Sequence, residues 1–252
     1  PMTHIFLYGP PGSGKSTVGQ AVACNLKLPF IDLDRVIEAN AGLSIPQVME
    51  TRGESAFRDI ETAALKNLVN GKESVIALGG GALLRDENRT LAETHGKVIL
   101  LMAELETLLD RLNADINKRP LLAGDLREKL MSLLVKRGGH YNSFPLLVRV
   151  DGKTAEQNAR QIQVVSGRHH LSAMGEYDVI VGPVGQIGNL SYTTLLIVTD
   201  ENVAKYHAEK VVTALRSGGH NPKVLTIPAG EAHKNLETVN RLRMISRLQI
   251  IV

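Results

Sequence analysis

The sequence predicts an α/β fold: a parallel sheet wound with helices on both faces, followed by a smaller, partial Rossmann-like α/β segment. Three observations carry this. Short apolar runs at residues 5–8, 74–78, 97–102 and 146–150 alternate with long amphipathic stretches, as parallel strands do when helices cover both sides. The first run passes directly into "GPPGSGKST", a glycine-rich turn between a strand and a helix. The alternation then breaks at "GRHHLSAMGE", residues 167–176, and restarts after it.

With 252 residues and 43% hydrophobic content, the chain can build one large domain or one and a half ordinary ones. A formal charge of +3, with no Lys/Arg block interleaved with aromatics, argues against nucleic acid as a partner. No apolar run approaches the length of a membrane span, and the N-terminus enters a strand rather than a charged and then apolar leader. A membrane is therefore not expected as a partner, and a reducing cytoplasm is the expected setting. The single cysteine, Cys24, leaves no room for a disulfide framework or a Cys-rich zinc site, and is expected as a small core residue.

In the first glycine-rich turn, Gly9, Gly12 and Gly14 free the backbone so that successive amides point inward at an anion. The spacing Gly9-x4-Gly14-Lys15-Ser16 is that of a P-loop, in which Lys15 reaches the β and γ phosphates and the Ser16 hydroxyl ligates Mg2+. Gly12, Ser13, Gly14 and Thr17 complete the cradle for ATP, and the following helix presents its N-terminus to the phosphates. A mere glycine-rich turn leaves the Lys15-Ser16 pair without a reason. The loop alone does not name a reaction, since motors, switches and small-molecule kinases share it.

The acceptor has to be read from later motifs. In "FIDLDR", residues 30–35, a continuing strand would bring Asp32 and Asp34 out on one face, one for a metal and one for a substrate hydroxyl. The alternative is that Asp34 caps the helix that follows. In "RGESAFRDIE", residues 52–61, Arg58 and Glu61 share a helix face. They form either an ordinary surface ion pair or a device in which Glu61 fixes an arginine that grips a carboxylate. Gly79, Gly80 and Gly81 follow a buried strand directly, and close approach of backbone to ligand is the natural reason for three glycines there. "NKRPLL" sets Arg119 between two helical stretches, where a mobile flap would carry a guanidinium onto a transferring phosphate.

Taken together, GPPGSGKST, DLD, GE-x-x-FR-x-x-E, GGGA and RPLL resemble the shikimate kinases in order and approximate spacing, across residues 4–165. The resemblance implies the nucleoside-monophosphate-kinase-like fold, with a five-stranded parallel sheet, a LID over ATP and a small helical acceptor region. By motif match it implies Asp34, Arg58, Gly80, Gly81 and Arg137 at shikimate, Lys15 and Arg119 at the phosphates, and Ser16 and Asp32 at Mg2+. Arg111 takes the family's adenine-side position. The catalytic set so implied is Lys15, Asp34 and Arg119. One departure stands out. Where the family carries a helical R-x-P-x-Y-x-x-x-A pattern, this chain has "RGGHYNSFP", and since each glycine costs a helix about 1 kcal/mol, Arg137 is expected to be held less rigidly.

The division expected from the sequence is a kinase domain at residues 1–165, a linker at 166–175, and an incomplete second segment at 176–252. His169 and His170 in the linker are adjacent and are expected in a solvated turn rather than at a metal. Beyond them come strands at residues 177–181, 194–199 and 223–227, a helix at 203–216 and a last helix from Asn235. "EYDVIVG", "LLIVTDENVAKYHAEKV" and "IPAGEAHKNLETV" resemble the amino-terminal domain of 3-dehydroquinate synthase, which implies Asp200, Asn202, Glu231 and Lys234 facing an NAD. The family's later NAD loop and zinc ligands have no counterpart in these 252 residues, so weak NAD binding at most and no synthase activity are expected. The apolar residues Ile250, Ile251 and Val252 are expected to seek cover, self-association being one route. The rival readings are a kinase of another small polyol such as gluconate, and a non-catalytic nucleotide- or NAD-binding module.

Overall fold

The computed structural model describes residues 4–116, 126–171, 177–181, 194–233, 235, 237–238 and 250–251. The chain forms two compact units, Pro1–Val181 and Gly182–Val252.

The first unit is built on five parallel strands: β1 (His4–Tyr8), β2 (Phe30–Asp32), β3 (Val75–Ala77), β4 (Gly96–Met102) and β5 (Leu147–Arg149), in the order β2-β3-β1-β4-β5. Every residue of β1 is buried, because the central strand is covered on both faces. Its alternation assigns the two cores. Ile5 and Leu7 pack with Val18, Val22 and Leu26 of helix α1 (Lys15–Leu26) and with Ile162 of α7 (Ala155–Ser166). Phe6 and Tyr8 face the other way, toward Leu33 and Ile37 of α2 (Leu33–Ala41), Phe57 and Leu65 of α3 (Ile45–Val69), and Tyr141 of α6 (Leu126–Tyr141). Helices α4 (Asp86–His95) and α5 (Leu105–Ile116) complete the connections between the parallel strands.

Local chemistry sets the ends of these elements. Ser44 donates its amide and its hydroxyl to Oε1 of Gln47 at the start of α3. Thr154 and Gln157 form a reciprocal capping box at the start of α7. Helix α3 is interrupted at Gly53, whose φ of 81° and ψ of 166° split it into two arms. Helix α6 runs through Gly138 and Gly139 to Tyr141, so the glycine pair does not end the helix that bears Arg137; packing of Tyr141 and Phe144 into the core outweighs the propensity cost.

Three sequence expectations differ from the structure. Cys24 is exposed, not in the core: its neighbour Ala23 takes the inward position, and one helical step of about 100° turns Cys24 outward. Strand β2 stops at Asp32 and α2 begins at Leu33, so Asp32 and Asp34 do not share a strand face. Residues expected as linker form β6 (Arg168–Leu171), which pairs antiparallel with β7 (Tyr177–Ile180) inside the first unit. Gly167, at φ 66°, ends α7 and accepts the Val181 amide at 2.7 Å. His169 and His170 thus lie on a strand, on its opposite faces.

The second unit has a three-stranded parallel sheet in the order β10-β8-β9, from β8 (Thr194–Asp200), β9 (Asn221–Ile227) and β10 (Ile250–Ile251). Helical turns run from α8 (Glu201–Val203) through a wide turn at Ala204–Ala208 into α9 (Glu209–Ser217). Leu195 and Ile197 of β8 pack with Leu215, Val211 and Val212. Ile250 and Ile251 pair with Leu196 and Ile197, which covers the β8 edge. The helix expected from Asn235 falls largely outside the described residues.

Candidate active site

The carboxyl ends of β1, β2 and β3 open onto one place, where a parallel sheet of this kind binds ligands. After β1 the chain turns through Gly9 (φ 146°), Gly12 (φ 78°) and Gly14 (φ 84°). Side chains are barred there by backbone as well as by φ: a Cβ at Gly9 would collide with the Leu101 carbonyl oxygen, and one at Gly12 would stand 2.8 Å from that of Leu108. No side chain caps the start of α1, so its first amides remain open toward the loop. Ser13 is fully buried, and its hydroxyl has no hydrogen-bond partner among the described residues. Thr17 sits exposed within the first turn of the helix.

Lys15 folds back over this loop and donates to the carbonyls of Gly9 and Pro10, each at 3.0 Å. Burial pulls its amine down to about 8, partly offset by Asp34 and Asp32. The Ser16 hydroxyl donates to Oδ2 of Asp32 at 2.7 Å, and Oδ1 of the same carboxylate accepts the Asp34 amide at 3.1 Å. The helix cap is therefore Asp32, where the sequence suggested Asp34, and Asp34 is left in the first turn of α2 with its carboxylate free to face the loops. Burial, reinforced by Asp32, raises the Asp34 carboxyl above its ordinary value, with Lys15 opposing. The hydroxyl and carboxylate oxygens of Ser16 and Asp32 form a hard-oxygen set beside the phosphate cradle, which suits Mg2+.

Around the glycine run, four charged groups converge. Gly79 lies so close to the carboxylates that a Cβ there would meet Oδ1 of Asp34 at 2.8 Å and Oε1 of Glu61 at 3.2 Å. At Gly81 a Cβ would meet Nη2 of Arg58 at 2.8 Å. Arg58 donates to Glu61 at 2.8 Å, and Glu61 is only 1% exposed, so the pair is not the ordinary surface pair that spacing alone permits. Burial raises the Glu61 carboxyl against the pull of Arg58. Burial also works against the Arg58 charge, but the Glu61 bond prevails and lifts Arg58 above its ordinary value. Arg137, from α6, donates to the Gly80 carbonyl at 2.6 Å. Arg111 reaches from α5 to the Gly12 and Ser13 carbonyls, each at 3.4 Å, and to that of Val150 at 3.1 Å, which places it against the underside of the loop.

The first unit thus brings together Gly12, Ser13, Gly14, Lys15, Ser16, Thr17, Asp32, Asp34, Arg58, Gly80, Gly81, Arg111 and Arg137. Arg119 and Lys234 lie outside the described residues. In the second unit Asp200 caps the helix after β8, accepting the amides of Asn202 and Val203 at 2.8 and 2.9 Å, and Glu231 begins a short turn at Glu231–His233. Sequence reasoning missed Tyr8 and Tyr141, whose hydroxyls approach the Gly80 carbonyl at 3.3 and 3.5 Å. The available signal was a tyrosine ending a wholly apolar strand, since a buried phenol needs a partner. It also missed Glu54, a second acceptor for Arg58 at 3.4 Å, legible as an i,i+4 pair.

The chain is similar to a shikimate kinase of Salinibacter ruber, 39% identical over 174 residues, covering 66% of this chain and 85% of that protein. Its fold matches the shikimate kinase of Acinetobacter baumannii in complex with shikimate, with a TM-score of 0.60 and 36% identity over 65% of this chain and 93% of that one. It also matches the shikimate kinase of Bacteroides thetaiotaomicron, with a TM-score of 0.61 and 31% identity over 66% and 98%. With the shikimate kinase family model spanning residues 11–165 around this assembled site, the chain belongs to the shikimate kinase family.

Proposed function

We propose that this chain transfers the γ-phosphoryl group of ATP to the 3-hydroxyl of shikimate, giving shikimate 3-phosphate and ADP. The observation that supports it best is the convergence of Asp34, Arg58 and Arg137 on the Gly79–Gly81 run beside Lys15. Arg58, braced by Glu61, and Arg137 hold the carboxylate of shikimate. Asp34 orients the acceptor hydroxyl and takes its proton as the new oxygen–phosphorus bond forms; burial makes this carboxylate a better base than an exposed one. The bond from the γ phosphorus to the bridging oxygen breaks, and the charge that collects on ADP is met by Lys15 and the open amides of the loop. Ser16 and Asp32 would hold Mg2+, which when bound supplies positive charge against the phosphate oxygens. Arg119, by its place in the "NKRPLL" motif, adds a further guanidinium to the transferring group.

For the second unit we propose no synthase activity and at most weak NAD binding, since the Asp200 carboxylate is already engaged as a helix cap. Self-association through this unit and a cytoplasmic setting belong to the same reading. The experiment is a coupled assay of ADP release with shikimate, quinate and gluconate in parallel. Turnover on shikimate is expected; turnover on gluconate without turnover on shikimate would overturn the acceptor.

A further inference from the structure

The Gly80 carbonyl is approached by three donors: Arg137 Nη1 at 2.6 Å, the Tyr8 hydroxyl at 3.3 Å and the Tyr141 hydroxyl at 3.5 Å. A carbonyl oxygen has two lone pairs, so the two shorter contacts fill it and Tyr141 is marginal. Tyr8 is fully buried. It ends β1 and is joined directly to Gly9, whose carbonyl accepts the Lys15 ammonium at 3.0 Å. Its ring is packed among those of His140, Tyr141 and Phe144, with centroids 5.7, 5.7 and 5.3 Å away, so the hydroxyl has a fixed direction. The Gly80 loop lies close to the phosphate loop as well: a methyl group at Gly80 would stand 3.4 Å from the Gly9 carbonyl oxygen.

We propose that Tyr8 is a positioning residue for the acceptor: its hydroxyl fixes the Gly80 carbonyl, and through it the Arg137 guanidinium, in the orientation that receives the substrate carboxylate. A phenylalanine would keep nearly the same volume but leave that carbonyl with Arg137 and only the marginal Tyr141 hydroxyl. Burial, with Tyr141 adding to it, holds the phenol above its ordinary value, so it remains a donor throughout the working pH range. The inference rests on the assignment of Arg137 to the acceptor.

The test is steady-state kinetics for both substrates on Tyr8→Phe, Arg137→Ala and the double variant, with a thermal melt of each. Tyr8→Phe is expected to raise the KM for shikimate about threefold to tenfold, the range for one neutral hydrogen bond, while the KM for ATP and kcat change far less. In the Arg137→Ala background the same change should add nothing further. An unchanged shikimate KM in Tyr8→Phe, an equal rise for both substrates, or full additivity with Arg137→Ala would each overturn the role of Tyr8. If Arg137→Ala itself left the shikimate KM untouched, the acceptor-side assignment would fall instead.

Discussion

The Ser16 hydroxyl and the Asp34 amide bind opposite oxygens of the one Asp32 carboxylate, at 2.7 and 3.1 Å. Asp32 therefore ties the start of α1 to the start of α2 while presenting a negative charge beside the phosphate loop. Asparagine caps a helix about as well as aspartate, so Asp32→Asn separates the two duties. The variant should keep its melting temperature but need about tenfold to a hundredfold more Mg2+ for half-maximal turnover. A Mg2+ titration of turnover beside a melt checks this; an unchanged Mg2+ requirement would leave Asp32 as a cap alone.

The base role proposed for Asp34 requires it ionised, and its carboxyl is held above the ordinary aspartate value by burial and Asp32. Turnover should accordingly fall as pH drops, with the acid limb starting above the usual carboxylate range. Asp34→Asn should lose about a hundredfold or more in kcat and flatten that limb. Near-normal turnover in the variant would remove the base from the mechanism.

Lys15, pulled down by burial to about 8, is partly neutral just above that pH in the nucleotide-free chain. Phosphates bound as proposed would restore its proton, so ATP binding there should take up protons and its affinity should fall as pH rises, by at most about tenfold per unit. Calorimetry in buffers of different protonation heat reads the uptake, and Lys15→Met should abolish it. The nucleotide-free fold shows the converse linkage. The unfolded chain keeps this proton up to the ordinary value of 10.5, so this group makes stability rise with pH between about 8 and that value.

Deletion of residues 182–252 removes the second unit and leaves β6 paired with β7. Shikimate phosphorylation should survive this deletion essentially intact. Cutting instead after Leu171 removes β7, strips its partner from β6 and should lower the melting temperature by several degrees, since a loss of about 1 kcal/mol is worth that much. Activity and melts of the two truncations decide it; a dead 1–181 chain would make the second unit part of the catalytic fold.

Much of this was legible in the sequence because single segments carried it. Buried strands, the glycine-rich turn between β1 and α1, and the Arg58-Glu61 spacing are local patterns, and the structure keeps each in place. The misreadings came where a segment changes element type or gains a pairing partner that its own pattern does not announce. A period-two argument holds only while the strand lasts, and β2 gives way to helix at Leu33, which moved the cap from Asp34 to Asp32. The small polar run after α7 looked like a linker because its composition is small and polar, yet it supplies β6, whose antiparallel partner β7 begins at Tyr177. The convergence of Tyr8, Arg137 and Tyr141 on one carbonyl joins residues more than fifty positions apart from Gly80, and no spacing rule reports that.

Gly53 gives α3 a division of labour. The arm after it carries Arg58 and Glu61, bonded to each other beside the glycine run, while the arm before it, Ile45 to Arg52, is capped separately at Ser44. Nothing lies within 4 Å of where a Cβ at Gly53 would stand, so its positive φ alone makes glycine the fitting residue. An alanine there would favour a straight rod and yoke the two arms together. With the glycine in place the leading arm can drift in sequence and direction while the Arg58–Glu61 pair stays as it is, which makes this break a seam along which the enzyme's periphery can evolve without disturbing that pair.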